Sequence, residues 1–229
     1  TSWSGWVKFI YTVFLAVGIA VFYYADNMRK SVVILFNLEE PAESLYKRVY
    51  ESFDELIQCE RIWHVTAEGV VQNEKYSGGA SENIRRNEID LRIQDITPIK
   101  TNIDIPQIPV GKQILAFMPD RLLVFEGKKI GAIPYADLNI DVTSRRFVEG
   151  GKIPGDANII GQTWKYVNKD GEPDRRFKDN IQYQVVRYEF IHFSSPTGLN
   201  EEICLSRTGN GQPFEDAVRD FSEYFLRNS

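Results

Sequence analysis

Two histidines are the first groups in this chain suited to moving a proton near neutral pH, because an unperturbed imidazole titrates close to it. His64 stands in RIWHVTA and His192 in YEFIHFSS, each inside the apolar and aromatic alternation of a strand. Nothing in the sequence sets either beside a nucleophile, so both read as hydrogen-bonded sheet histidines. Ser44 and Lys47 have the S-x-x-K spacing that puts a nucleophile next to its base in some acyl-transfer enzymes. The companion motifs are missing, and a solvated helix face accounts for the pair. No G-x-S-x-G, P-loop, G-x-G-x-x-G after a strand or H-E-x-x-H occurs.

The remaining chemistry is that of charge. Glu82, Glu88, Asp90 and Asp95 gather around IRRNEIDLRI, and acids beside Arg or Lys on a strand hold divalent ions in some nucleases. The E-x-K continuation is absent, so these read as solvated charges on an edge strand, and no metal or cofactor is expected. KYSGGASENIRR sets Gly78 and Gly79 ahead of Ser81, with Arg85 and Arg86 beyond. Read as the start of a short helix, it would offer backbone donors to an anion; a flexible loop needing positive φ is the plainer account. The densest basic run is TWKYVNKDGEPDRRFKDN, residues 163–180, where Lys165, Lys169, Arg175, Arg176 and Lys178 face Asp170, Glu172, Asp174 and Asp179, five bases against four acids. Such near-balance describes a self-paired loop better than a phosphate cradle. Its end, Arg175, Arg176, Phe177 and Lys178, together with Arg85 and Arg86, supplies the candidate residues for a partner or an anion. No residue is assigned a catalytic role.

Composition narrows the classes further. The 229 residues are 43% hydrophobic and 13% aromatic, ample for a buried core, and carry a formal charge of −5. An acidic balance excludes a nucleic-acid binder of the broadly basic kind, although a local basic loop can still face an anionic leaflet. Cys59 and Cys204 are too few for a disulfide framework and lack C-x-x-C spacing, so they read as ordinary thiols.

These groups must be positioned by elements that the sequence announces. From Phe9 to Ala25 Thr12 is the only clearly polar residue, with Trp3 and Trp6 on one flank and Tyr23 and Tyr24 on the other. Residues 6–25 therefore predict a transmembrane helix with an aromatic belt. Arg29, Lys30, Lys47 and Arg48 follow it while only Lys8 precedes it, so the positive-inside rule puts the C-terminal part in the cytoplasm. Thr1 is not an initiator Met, which suggests processing or a preceding portion.

Beyond the anchor and its flank (1–30), residues 31–97 read as a strand-helix-strand unit. SVVILFNLEE is the strand, and Leu45, Val49, Phe53, Leu56 and Ile57 form the helix stripe. A proline-punctuated connector follows over 98–112, with Pro98, Pro106 and Pro109 each removing a ladder donor. Residues 113–229 then show short strands with turns every eight to ten residues: a strand to Met118, one to Phe125, an EGKK hairpin, one through Ile133, and a fourth after Tyr135-Ala136-Asp137. NIIGQTWKYV, QYQVVRYEFIHFSS and EEICLSRT add three more. A closing helix carries Phe214, Val218, Phe221 and Phe225 on one face. The expected fold class is α+β: a transmembrane helix, the strand-helix-strand unit, then an antiparallel pleckstrin-homology-like barrel with a C-terminal helix.

The blocks FMPDRLLVFEGKKIGAIPYADL, TWKYVNKDGEPDRRFKDN, FSSPTGLNEE and KYSGGASENIRR resemble a poorly characterised bacterial family of membrane-anchored proteins. The resemblance covers most of the chain after the anchor. It implies a membrane anchor, a strand-helix-strand unit and a β-rich domain at the bacterial inner membrane, and it supplies no catalytic assignment. The functional expectation is a non-enzymatic single-pass membrane protein whose cytoplasmic domain binds a protein partner. The alternatives are a membrane-tethered, metal-dependent hydrolase built on Glu82, Asp90, Arg175 and Arg176, and an anionic-lipid-binding module.

Overall fold

The computed structural model describes residues 5–30, 32–70, 82–168 and 170–228. Its contacts divide into two units, Thr1–Asn37 with Gln94–Asp104, and Leu38–Ile93 with Ile105–Ser229.

The first unit holds helix α1 (Gly5–Lys30). Its stretch Gly5–Ala25 is long and apolar enough to cross a membrane, since 21 residues rising ~1.5 Å each span about 30 Å. Trp6, Phe9, Phe14 and Phe22 are all exposed, so this apolar surface is not spent on a protein core. Thr12, the one clearly polar residue from Phe9 to Ala25, is satisfied by the helix itself, donating from Oγ1 to the Phe9 carbonyl at 2.8 Å. After it, β1 (Val32–Ile34) runs parallel to β5 (Ile99–Thr101). The Asn102 side chain accepts from the Phe36 N–H and donates to the Phe36 carbonyl, both at 2.8 Å. The strand expected over residues 31–40 is thus three residues long.

In the second unit, α2 (Ala42–Ile57) buries Val49, Phe53 and Leu56 of the stripe its spacing announces, with Tyr46 buried beside them while Leu45 and Ile57 are half-buried. Strands β2 (Ile62–Val70) and β3 (Glu82–Glu88) pair antiparallel. Next come β4 (Arg92–Gln94), β6 (Ile105–Val110), β7 (Gln113–Phe117), β8 (Arg121–Glu126) and β9 (Lys129–Pro134), which form a five-stranded sheet in the order β4-β6-β7-β8-β9. A 3-10 turn at Tyr135–Asp137 leads to β10 (Asn139–Glu149), then β11 (Asn158–Trp164), β12 (Gln182–Ser194) and β13 (Asn200–Leu205). These make a second, antiparallel sheet in the order β10-β12-β13-β2-β3, with β11 also pairing β12. Helix α3 (Gly211–Asn228) closes the chain.

Turn chemistry sets the meander. Gly111 and Gly127 occupy the first position of two-residue hairpin loops at φ 59° and 60°, where a side chain would be strained. The core lies where the two helices meet both sheets. Phe53 of α2 packs on Phe117 of β7 (6.2 Å) and Phe214 of α3 (5.7 Å), and Phe117 also meets Phe193 of β12 (6.1 Å). The Tyr46 hydroxyl donates to the Phe117 carbonyl at 3.0 Å and the Tyr135 hydroxyl to that of Met118 at 2.6 Å, so neither buried phenol is left unpaired.

Three expectations change. The strands form separate sheets and close no barrel among the described residues, because β13 takes β2 as its neighbour and the meander β6–β9 ends in a sheet of its own. The proline segment is no surface connector: Ile105, Ile108 and Val110 of β6 are fully buried. Pro109 sits opposite Ile114, one pair from the turn-flanking Val110 and Gln113, a position whose amide points away from β7, so the missing donor costs that ladder nothing. Finally, Glu82–Glu88 is a strand, not the start of a helix, since pairing with β2 overrides the local capping pattern. Gly78, Gly79 and Ser81 lie outside the described residues.

Candidate functional site on the open sheet face

Paired residues of an antiparallel sheet share a face. Asp141, Thr143, Arg145 and Phe147 of β10 stand opposite His192, Phe190, Tyr188 and Val186 of β12, and Glu202 and Cys204 of β13 continue the rows from His192 and Phe190. Val65 and Trp63 of β2 extend them again. One end of this face is apolar, a cluster of Trp63, Val186, Tyr188, Phe190 and Cys204 covered by Phe147, Ile153 and Ala157. The other end is polar and forms a depression of about 640 Å³ bordered by His64, Asp141, Arg145, His192, Glu201 and Glu202.

The one arginine of the depression is paired in place. Arg145 holds Glu202 through two contacts, Nη2 to Oε1 at 2.7 Å and Nη1 to Oε2 at 3.3 Å, while its guanidinium lies 4.4 Å above the Phe190 ring. The fork geometry and the aromatic floor fix its direction. His192 donates from Nε2 to Asn200 Oδ1 at 2.8 Å, and His64 donates from Nε2 to Glu201 Oε2 at 2.7 Å. His64 is buried, and its Nδ1 makes no hydrogen bond among the described residues. Both histidines are therefore hydrogen-bonded in the sheet, His192 on the face shared with Asp141 and Glu202, and His64 with Glu201 on the opposite face, where the His64 ring lies against Gly111 of the β6–β7 turn. The depression's signal in the sequence was the alternation Asp141, Thr143, Arg145 on a strand, polar side chains with the period of one face.

Arg86 sits at the apolar end. Its guanidinium is 4.4 Å from the Trp63 ring, 5.2 Å from Tyr188 and 5.8 Å from Phe147, and Nη2 bonds to Glu149. Burial lowers the affinity of this guanidinium for its proton, but the Glu149 hydrogen bond and charge outweigh it and its pKa is raised. The same burial pushes the Tyr188 hydroxyl upward and the Cys204 thiol up to about 12. Arg85, next along β3, is exposed.

The loop between β11 and β12 carries the other four candidates. Arg176 bonds Asp174 through Nε at 2.9 Å and Nη2 at 2.6 Å, with the Asp174 carboxylate almost fully buried. Phe177 stacks on Tyr166, ring centroids 4.0 Å apart. Arg175 and Lys178 are exposed. The structure does not bring these residues onto Arg85 and Arg86, which lie on β3, three strands from β12 in the sheet order.

Asp90 lines a small pocket of about 100 Å³ with Glu60 and Glu88, away from the arginines proposed beside it. Among the described residues no group of three or more His, Cys, Asp or Glu side chains is arranged to hold a metal ion. Comparison with family models, with curated proteins and with solved structures finds no match to this chain.

Proposed function

We propose that this chain is a single-pass membrane protein whose second unit binds a protein partner at the polar end of the open sheet face. The depression formed by Asp141, Arg145, His192, Glu201 and Glu202 carries the reading. Small-molecule sites are mostly apolar and enclose their ligand; here Val65 is the sole aliphatic residue among those lining the depression. A rim of charged and polar groups, with the Arg145–Glu202 ion pair at its centre and Asp141 beside it, instead suits contact with polar groups of another protein surface. No hydroxyl or thiol there is hydrogen-bonded to a histidine among the described residues, so the arrangement favours binding over acyl transfer.

The apolar α1 supports the anchor, and the basic residues after it support a cytoplasmic second unit. The bacterial resemblance of the quoted blocks supports an inner-membrane setting. The test is photocrosslinking in native membranes with the crosslinker at Asn200, read by mass spectrometry. A reproducible protein adduct that disappears with Asp141→Arg and survives Lys128→Glu is expected. Adducts unchanged by Asp141→Arg, or hydrolysis of a phosphoester, peptide or ester lost in that variant, would replace this reading.

A further inference from the structure

Contiguous exposed aliphatic side chains mark a surface with something to meet, since water is a poor neighbour for them. Outside α1, eight large hydrophobic side chains are exposed among the described residues, and three of them, Val32, Val33 and Leu35, fall within four positions. They are 54%, 65% and 74% exposed and together present on the order of 300 Å², the size at which a patch becomes informative.

The backbone that carries them is paired. The Val32 N–H donates to the Pro98 carbonyl at 2.9 Å, all three residues of β1 are in register with β5, and Asn102 holds both backbone groups of Phe36 at 2.8 Å. The aliphatic side chains are thus displayed by an ordered two-stranded ribbon.

The place of this ribbon in the chain says what it meets. The 21 residues Gly5–Ala25 fill ~30 Å of hydrocarbon, which puts Ala25 at its edge. Helix α1 continues to Lys30, ~7.5 Å further, and Val32 is two residues beyond, at most ~7 Å more. Val32 therefore starts no further than ~14 Å from the hydrocarbon, and the headgroup layer takes up ~5–7 Å of that distance.

We propose that the β1–β5 ribbon is a membrane-interface element, with Val33 and Leu35 seated in the headgroup region of the leaflet from which α1 emerges. Arg29, Lys30 and Lys100 are balanced by Asp26, Asp95 and Asp104 in the segments that make up this ribbon and its flank. The attraction is therefore that of apolar surface for the interface and needs no anionic lipid. A patch of this modest size suffices because the helix already tethers it, so that the leaflet is present at high effective concentration. The inference rests on α1 spanning a membrane, as proposed above.

The experiment places an environment-sensitive fluorophore at Val33→Cys, Leu35→Cys, Phe14→Cys or Lys128→Cys in the full chain reconstituted in phosphatidylcholine vesicles. Cys59 and Cys204 are buried and should not label. Phe14 lies within the span and Lys128 in the β8–β9 turn, so these two report hydrocarbon and water. A phospholipid bearing a nitroxide beside its headgroup should quench the label at Val33→Cys and Leu35→Cys roughly threefold or more above that at Lys128→Cys. Adding phosphatidylglycerol should leave the ratio unchanged, and adding Val33→Asp to Leu35→Cys should bring its quenching toward that of Lys128→Cys. Ribbon labels quenched no more than Lys128→Cys, or only with phosphatidylglycerol, would overturn the proposal. So would shielding from aqueous iodide without quenching by lipid, which assigns the patch to a protein surface. A nitroxide deep in the acyl chain reads the anchor separately. If it quenches Phe14→Cys while the ribbon labels stay in water, the placement fails and the anchor stands; ribbon quenching without quenching at Phe14→Cys refutes the anchor alone.

Discussion

Arg86 offers the sharpest test of whether a basic residue here serves binding or folding. The guanidinium is enclosed by Trp63, Tyr188 and Phe147 and bonded to Glu149, with 22% of the Arg86 side chain and 17% of the Glu149 side chain exposed. Removing one partner of a fully buried pair costs ~3–5 kcal/mol, so about four-fifths burial scales the expectation for Glu149→Ala to ~2.5–4 kcal/mol. Arg86→Met keeps an apolar stem against the rings but strands the Glu149 carboxylate and gives up the cation–π contact, for a loss of ~2–3 kcal/mol. The double variant Arg86→Met with Glu149→Leu leaves no buried charge and should lose no more than ~1.5 kcal/mol, well under the sum of the singles. Urea unfolding of the full chain in detergent, followed by far-UV circular dichroism and tryptophan fluorescence, reads all three. Single losses under ~0.5 kcal/mol would refute the reasoning. Partner crosslinking lost in an Arg86→Met protein of unchanged stability would make Arg86 a binding residue.

Phe53→Ala should cost ~3–5 kcal/mol in the same assay, because Phe53 is fully buried and in contact with Phe117 and Phe214. Glu189→Ala should cost ~2–3 kcal/mol and loosen α3, since its buried carboxylate accepts from the Gly209 N–H at 3.0 Å and the Gly211 N–H at 2.7 Å; amide exchange in α3 unchanged by the substitution would contradict this. Gly211→Ala should disturb the same junction, as a Cβ there comes within 3.0 Å of both Glu189 Oε2 and Val142 Cγ1. The Cys204 thiol is raised by burial from an ordinary 9.0 to about 12. Its contribution to stability is therefore complete below pH 9 and lost as pH rises toward 12. Thermal unfolding between pH 8 and 11 should show this decline, and Cys204→Ala should reduce it; identical slopes would assign the alkaline loss elsewhere.

Much of the architecture was legible because it rests on local rules. The stripe of Val49, Phe53 and Leu56, the glycine turns at Gly111 and Gly127, and the alternation through residues 182–194 each report a period or a backbone constraint that acts over a few residues. The prolines of β6 misled for the same reason: a missing donor is local, while the direction in which Pro109 points depends on its partner strand. The candidate site was less legible. Arg85 and Arg86 are adjacent in sequence, yet one is exposed and the other is held among three rings, which follows from strand alternation once the register with β2 is set.

By itself, then, the sequence determined that a long apolar helix precedes a β-rich region ending in an amphipathic helix, because helix length, hydrophobic period and turn residues act at short range. Only the tertiary structure decided which strands became neighbours. Pairing β13 with β2 set His64 beside Glu201 and extended the rows of β10 and β12 into one charged face. Those juxtapositions join residues more than a hundred positions apart, and they arise from the register of whole strands, which no local spacing encodes.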